Sequence, residues 1–203
     1  SYGGKAPGPE PLRIALGKIK DLLDKALIEG QPKLKPIQAY DIVMYSADAV
    51  ISGGVRRSAT IALFSEDDDE MIKAKTGNWF HENPQRGRSN NSVVLLKNEL
   101  TKDKLSNIIE SVKQYGEPGF ILANNYEHLV NPCVEISFYA YNSEGESGWQ
   151  ACNLSTINGS KVKTKEDFFE SCKAAAIIGT LQAGFTNTGY LGKVSQDIIE
   201  REA

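Results

Sequence analysis

The sequence predicts an α/β protein, and three observations carry that prediction. Short apolar runs rich in β-branched residues fall at 58–64, 92–96 and 120–123, longer segments with apolar residues at three- and four-residue steps lie between them, and turn signals such as Gly116-Glu-Pro-Gly119 separate the two kinds. In chain order, Ser1 to Pro9 holds three glycines and two prolines and reads as an irregular loop. Leu12, Leu16, Ile19, Leu23 and Leu27 then predict an amphipathic helix over 12–27, stopped by Gly30. Pro36, suited to a first helical turn, opens a second helix through Ile42, Ala47 and Val50 to the pair Gly53-Gly54.

Ser58 to Phe64 is apolar on both parities, which predicts a strand buried on both faces. The acidic run Glu66 to Glu70 carries the charge sign that a helix start favours. Strands over 92–96 and 120–123 flank a helix over 101–115. Two more short strands are expected over 135–141 and 153–157, and helices over 165–183 and 194–200.

At 203 residues the chain is one large domain or two small ones. Its 23 basic against 26 acidic side chains leave a net charge of −3, so no basic excess points to nucleic acid or an anionic membrane as a partner. No apolar run approaches the roughly 18 residues of a membrane helix, and no basic segment followed by an apolar core marks a secretory leader. Cys133, Cys152 and Cys172 are too few and too widely spaced for a disulfide scaffold or a zinc knuckle. They predict a reducing, cytoplasmic setting, and catalytic rather than structural cysteine chemistry. The chain opens on Ser1 and closes inside a helical pattern with no stop signal, so it is expected to be a piece cut at both ends.

The Walker loop, G-x-G-x-x-G, H-E-x-x-H and G-x-S-x-G are all missing, which removes several large enzyme classes. Only His81 and His128 could supply imidazole ligands, neither at a zinc-like spacing, so no metal site is expected. Two glycine-rich loops, 2–9 and 52–57, could bring backbone N–H groups and an arginine to a phosphate. A helix stop followed by surface arginines explains the second loop as readily. Asn131-Pro-Cys-Val-Glu135 places an amide, a thiol and a carboxylate at alternate positions, which in extended backbone leave on one face. That set could hold a substrate through Asn131, act on it with Cys133 and move a proton with Glu135. Pro132 suggests a constrained turn, and a structural cysteine flanked by capping residues remains open on spacing alone. Cys152 follows in Ala151-Cys-Asn-Leu, and Cys172 falls on a helix pattern with Phe168, Phe169 and Ala175 that reads as core.

Asn131-Pro-Cys-Val-Glu-Ile136 followed by Cys152-Asn-Leu resembles the paired active-site motifs of ribonucleotide reductase catalytic subunits, especially the adenosylcobalamin-dependent ones. The rest of the order agrees. Ser1-Tyr-Gly-Gly with Gly8-Pro, including Gly3, Gly4 and Lys5, resembles an effector-facing loop. Ser52 to Ser58, with Gly53, Gly54, Val55, Arg56 and Arg57, resembles the specificity loop, and Arg88-Ser-Asn-Asn-Ser-Val93 a strand near the substrate. Gln182-Ala-Gly-Phe-Thr and the tail through Glu200-Arg-Glu-Ala203 fit the same family.

The resemblance implies that residues 1–203 form the central segment of one domain, about half of a ten-stranded α/β barrel with its radical cysteine on a finger loop. It implies a thiyl radical on Cys133, a general base at Glu135, sugar hydroxyls held by Asn131, and Cys152 as one of two reducing thiols. The second would lie upstream of Ser1. It further implies adenosylcobalamin as cofactor, a deoxynucleoside triphosphate effector, a ribonucleotide substrate, complementary reductase segments and a thioredoxin-like reductant. Val134 stands where many members of the family have glycine. Two other readings remain: a nucleotide-binding module that senses deoxynucleoside triphosphates without turnover, and a cysteine hydrolase pairing Cys133 with His128. The hydrolase lacks a recognisable orienting group and oxyanion loop.

Overall fold

The computed structural model describes residues 8–50 and 58–202. The chain divides into two compact units, the first holding residues through Tyr126 together with Pro132–Val134, the second holding Glu127–Asn131 and the chain from Glu135 on. The α/β class is as the sequence predicts.

The first unit is built on three parallel strands, β1 (Thr60–Ser65), β2 (Ser89–Leu96) and β3 (Gly119–Ala123), in the order β1-β2-β3. Thr60 pairs with Ser89, and Ser92 with Gly119. Gly119 suits that pairing, because a Cβ there would sit 2.8 Å from Ser92 Oγ and the serine would have to turn aside. The strand buried on both faces is β2, with only Asn90 exposed along its length. The sequence predicts that role for β1, which is instead an edge strand of the described sheet with Phe64 alone buried. Apolar residues on both parities fit either position; neighbours decide which is covered.

Helices α1 (Glu10–Ile28) and α2 (Pro36–Val50) form where expected and pack together, but the buried face of α1 differs from the apolar face the sequence predicts. Ala15 and Ala26, about three turns apart, are buried, while Leu12, Leu16, Leu23 and Leu27 are exposed. Small side chains allow the two helices to approach closely. Tyr40 and Met44 of α2, Phe64, Val93 and Leu95 of the sheet, and Met71, Ala74 and Ile108 form the core. Ile108 belongs to α5 (Lys102–Tyr115), whose Thr101 caps the Lys104 N–H and whose end turns on Gly116 at φ 72°.

Between β1 and β2 the acidic run does start a helix, though α3 (Asp69–Ile72) is one turn long, capped by the Asp68 carboxylate on the Met71 N–H. A second single turn, α4 (Trp79–Glu82), and a 3₁₀ turn over Pro84–Arg88 follow. They are held by buried charges: Arg86 forks onto Asp41 with contacts of 2.9 and 2.7 Å, and Lys75 donates to the Ser89 carbonyl and to Glu117 at 2.9 Å.

The second unit contains β4 (Leu129–Val130) antiparallel to β5 (Ser137–Phe138), then α6 (Lys165–Ala183) and α7 (Lys193–Glu202). The strand expected over 135–141 shrinks to β5, and 153–157 forms no strand. A capping box between Thr164 and Asp167 starts α6 at the expected place. No residue of α6 is buried; Phe168, Phe169, Ile177 and Leu181 are exposed and Cys172 is half-buried, so the core reading of that face is not met within the described residues. Among the described residues, no helix is long and apolar enough to cross a membrane.

Candidate functional site

Asn131, Cys133 and Glu135 lie where the chain leaves the second unit and returns to it. In the second unit, β4 and β5 pair Leu129 with Phe138 and Val130 with Ser137. The ladder continues one step further, the Asn131 N–H donating to the Ile136 carbonyl at 3.2 Å. The Asn131 side chain reinforces the closure by accepting the Ile136 N–H on Oδ1 at 3.0 Å. Residues 132–135 therefore span a closed turn.

The expected extended alternation across Asn131, Cys133 and Glu135 is not what forms. The backbone turns through 132–134, Val134 adopts φ 69°, and the three residues divide into a buried Asn131, 5% exposed, and exposed Cys133 and Glu135. A left-handed conformation at a β-branched residue is costly.

The Asn131 carboxamide has a second partner within its unit: Nδ2 donates to Cys152 Sγ at 3.6 Å. Cys152 is free and exposed in an irregular stretch, and its neighbours Ala151 and Asn153 line a cleft of about 320 Å³ with Ile136, Gln150, Gln182 and Phe185. Among the described residues, Gln150 Oε1 is buried without a hydrogen-bond partner. His128 packs against Tyr139, ring centres 5.8 Å apart.

In the first unit, the Pro132 carbonyl accepts a hydrogen bond from Asn90 Nδ2 at 2.6 Å. Sequence reasoning missed Asn90 as a contributor. Its only signal is its place in the run 88–93, and which parity of β2 faces the turn is not written in that run. The loop residues Gly3, Gly4 and Lys5, and Gly53, Gly54, Val55, Arg56 and Arg57, lie outside the described residues. No group of three or more His, Cys, Asp or Glu residues able to hold a metal ion occurs among the described residues.

Fold and geometry together define an α/β chain that presents two free, exposed thiols, one on a closed turn and one against a buried carboxamide. Comparison with known proteins gives that arrangement a family. The chain is 30% identical, over 98% of its length, to an adenosylcobalamin-dependent ribonucleoside-triphosphate reductase from Lacticaseibacillus paracasei, and 29% identical over the same share to one from Lactobacillus delbrueckii subsp. bulgaricus. A Lactobacillus gasseri protein of the same name is 34% identical over 75% of the chain. The chain is thus a relative of the adenosylcobalamin-dependent ribonucleotide reductases, and it spans 27% of the length of the first two of these relatives and 21% of the third. No protein-family profile matches it. No solved structure matches it.

Proposed function

We propose that this chain supplies the thiol chemistry of a ribonucleoside-triphosphate reductase, forming deoxyribonucleotides as part of a longer catalytic polypeptide. The observation that carries the reading is an exposed Cys133 on a closed turn, in a sequence related along nearly its whole length to enzymes of that name. The relatives' name favours triphosphates as substrates.

Adenosylcobalamin fits the site at one point: Cys133 is free and exposed, as a thiol must be to give up a hydrogen atom to a radical generated beside it. When bound, the cofactor supplies that first radical. Cys133, as a thiyl radical, takes the hydrogen atom from the ribose 3′ carbon and returns it at the end. Glu135, exposed beside it in sequence, accepts the 3′ hydroxyl proton. The 2′ hydroxyl leaves as water with one proton, and a hydrogen takes its place. Two thiols provide the electrons and close as a disulfide, one of them Cys152 and the other a thiol contributed by a different part of the polypeptide. A thioredoxin-like dithiol resets the pair by exchange.

Exposed apolar residues along α6 support complementary reductase segments packed on the second unit, as a ten-stranded barrel with a cysteine finger loop requires. By the resemblance, Gly3–Lys5 and Gly53–Arg57 read a deoxynucleoside triphosphate effector. Arg56→Ala is then expected to change which base is reduced at a given effector more than it changes stability.

The decisive test is Cys133→Ala in the whole protein with adenosylcobalamin, a dithiol and a ribonucleoside triphosphate. Loss of deoxynucleotide formation supports the reading, and retained turnover overturns it. Binding of deoxynucleoside triphosphates by a parent protein that never turns over would select the sensing module instead.

A further inference from the structure

β2 presents two different faces. Ser89, Asn91, Val93 and Leu95 alternate toward the helical side, where Tyr40 of α2 bonds to Ser89 at 2.8 Å and to Asn91 at 3.1 Å. Asn90 points to the opposite side, and there its carboxamide meets the turn that carries Cys133. Asn90 is also the one exposed residue of a strand that is otherwise buried. Its side chain is therefore not needed to fill the core, and it donates to the Pro132 carbonyl at 2.6 Å.

The Pro132 carbonyl belongs to the same planar peptide unit as the Cys133 N–H. Holding that oxygen restrains the peptide unit and, through it, the position of the Cys133 Cα from which the thiol leaves the backbone. The φ of Pro132 is already set by its ring. On the far side of the cysteine, Val134 holds φ 69°. Cys133 is thus bracketed by two constrained residues. Asn90 supplies the constraint on the proline side and anchors it to the most buried strand of the unit.

From this geometry we infer that Asn90 is a positioning residue for Cys133: by holding the Pro132–Cys133 peptide plane against β2, it aims the thiol. The inference rests on the reading of Cys133 as the hydrogen-transferring thiol. Hydrogen-atom transfer is steep in distance and angle, so a turn released from its anchor should lose rate and not substrate affinity, on the order of 10- to 100-fold for a displacement near 1 Å.

The test uses the whole protein with adenosylcobalamin, a dithiol and a ribonucleoside triphosphate. Asn90→Asp keeps the shape and removes the donor; Asn90→Ala removes the side chain without introducing a charge. For both, kcat is expected to fall roughly 10- to 100-fold with KM within about twofold of the parent and the melting temperature unchanged, because a single exposed hydrogen bond contributes little to stability. A purely structural role would lower the melting temperature together with kcat, and that result overturns the inference. So does parental kcat in both variants. Cys133→Ala, run alongside, separates the two levels: if it abolishes turnover while the Asn90 variants match the parent, only the positioning role fails. If Cys133→Ala still turns over, the reading of the site fails and this inference falls with it.

Discussion

The carboxamide of Asn131 joins two points of the chain, donating to Cys152 Sγ at 3.6 Å while its oxygen accepts the Ile136 N–H at 3.0 Å. An amide reaching a sulfur 21 positions away through a buried side chain ties the closure of the cysteine turn to the second exposed thiol. The resemblance assigns this amide to sugar hydroxyls. In the structure its oxygen and one N–H already have protein partners.

Asn131→Ala should therefore act on stability as well as on turnover. It strips the part-buried Ile136 N–H of its partner, at a cost of roughly 1–3 kcal/mol. Urea unfolding of the variant reads this directly, and an unchanged midpoint would mean that the carboxamide does not hold the turn.

Val134→Gly should leave the protein as stable or slightly more so. Relief of the left-handed backbone is worth about 1–2 kcal/mol, and glycine's extra unfolded-state entropy offsets about 0.5–1 of it. Val134 is half-exposed, so little packing is lost. A fall of more than about 1 kcal/mol in urea unfolding would contradict a strained turn.

For Glu135→Gln, the expectation is the reverse division between stability and rate. The residue is exposed, so stability should stay within about 0.5 kcal/mol of the parent. If Glu135 accepts the 3′ hydroxyl proton, kcat should drop about 100- to 10,000-fold. Steady-state rates on a ribonucleoside triphosphate decide between that role and a bystander.

Tyr40 gives a pH dependence. Burial pushes its phenol above the ordinary value of 10.0, outweighing the hydrogen bonds with Ser89 and Asn91. The folded state thus holds the proton more tightly than the unfolded chain. Its contribution is complete below pH ~10 and is lost as pH rises through the folded value. Tyr40→Phe should cost about 1–2 kcal/mol at pH 7, and the gap to the parent should narrow at pH ~11. Paired urea titrations at the two values measure it; a constant gap would exclude ionisation of Tyr40 from the alkaline limb.

Asp41→Ala should be the most damaging of these changes. Burial works against the Arg86 charge, yet the Asp41 carboxylate more than restores it and leaves the guanidinium pKa above its usual value. Their side chains are only 14% and 10% exposed, so removing the partner strands a charge and should cost roughly 3–5 kcal/mol. Thermal unfolding would show it as a large drop in midpoint; a loss below about 1 kcal/mol would mean that water reaches the pair.

The sequence by itself determined the kinds of element and most of their order. Periodicity placed α1, α2, α5, α6 and α7 within a few residues, and the apolar runs placed the three strands of the sheet, because these signals are local. It also carries the two cysteine motifs, but the extended backbone it suggests across 131–135 gives way to a turn with Val134 at φ 69°. Tertiary structure decided what each face meets. Ala15 and Ala26 are buried where the leucines of α1 were the stronger local signal, and β2 rather than β1 is covered on both sides. Tertiary structure alone brought Asn90 to the Pro132 carbonyl and Asn131 to Cys152, 42 and 21 positions apart. Such pairs depend on strand register and on which parity of a strand faces the turn. No stretch of sequence a few residues long contains that information.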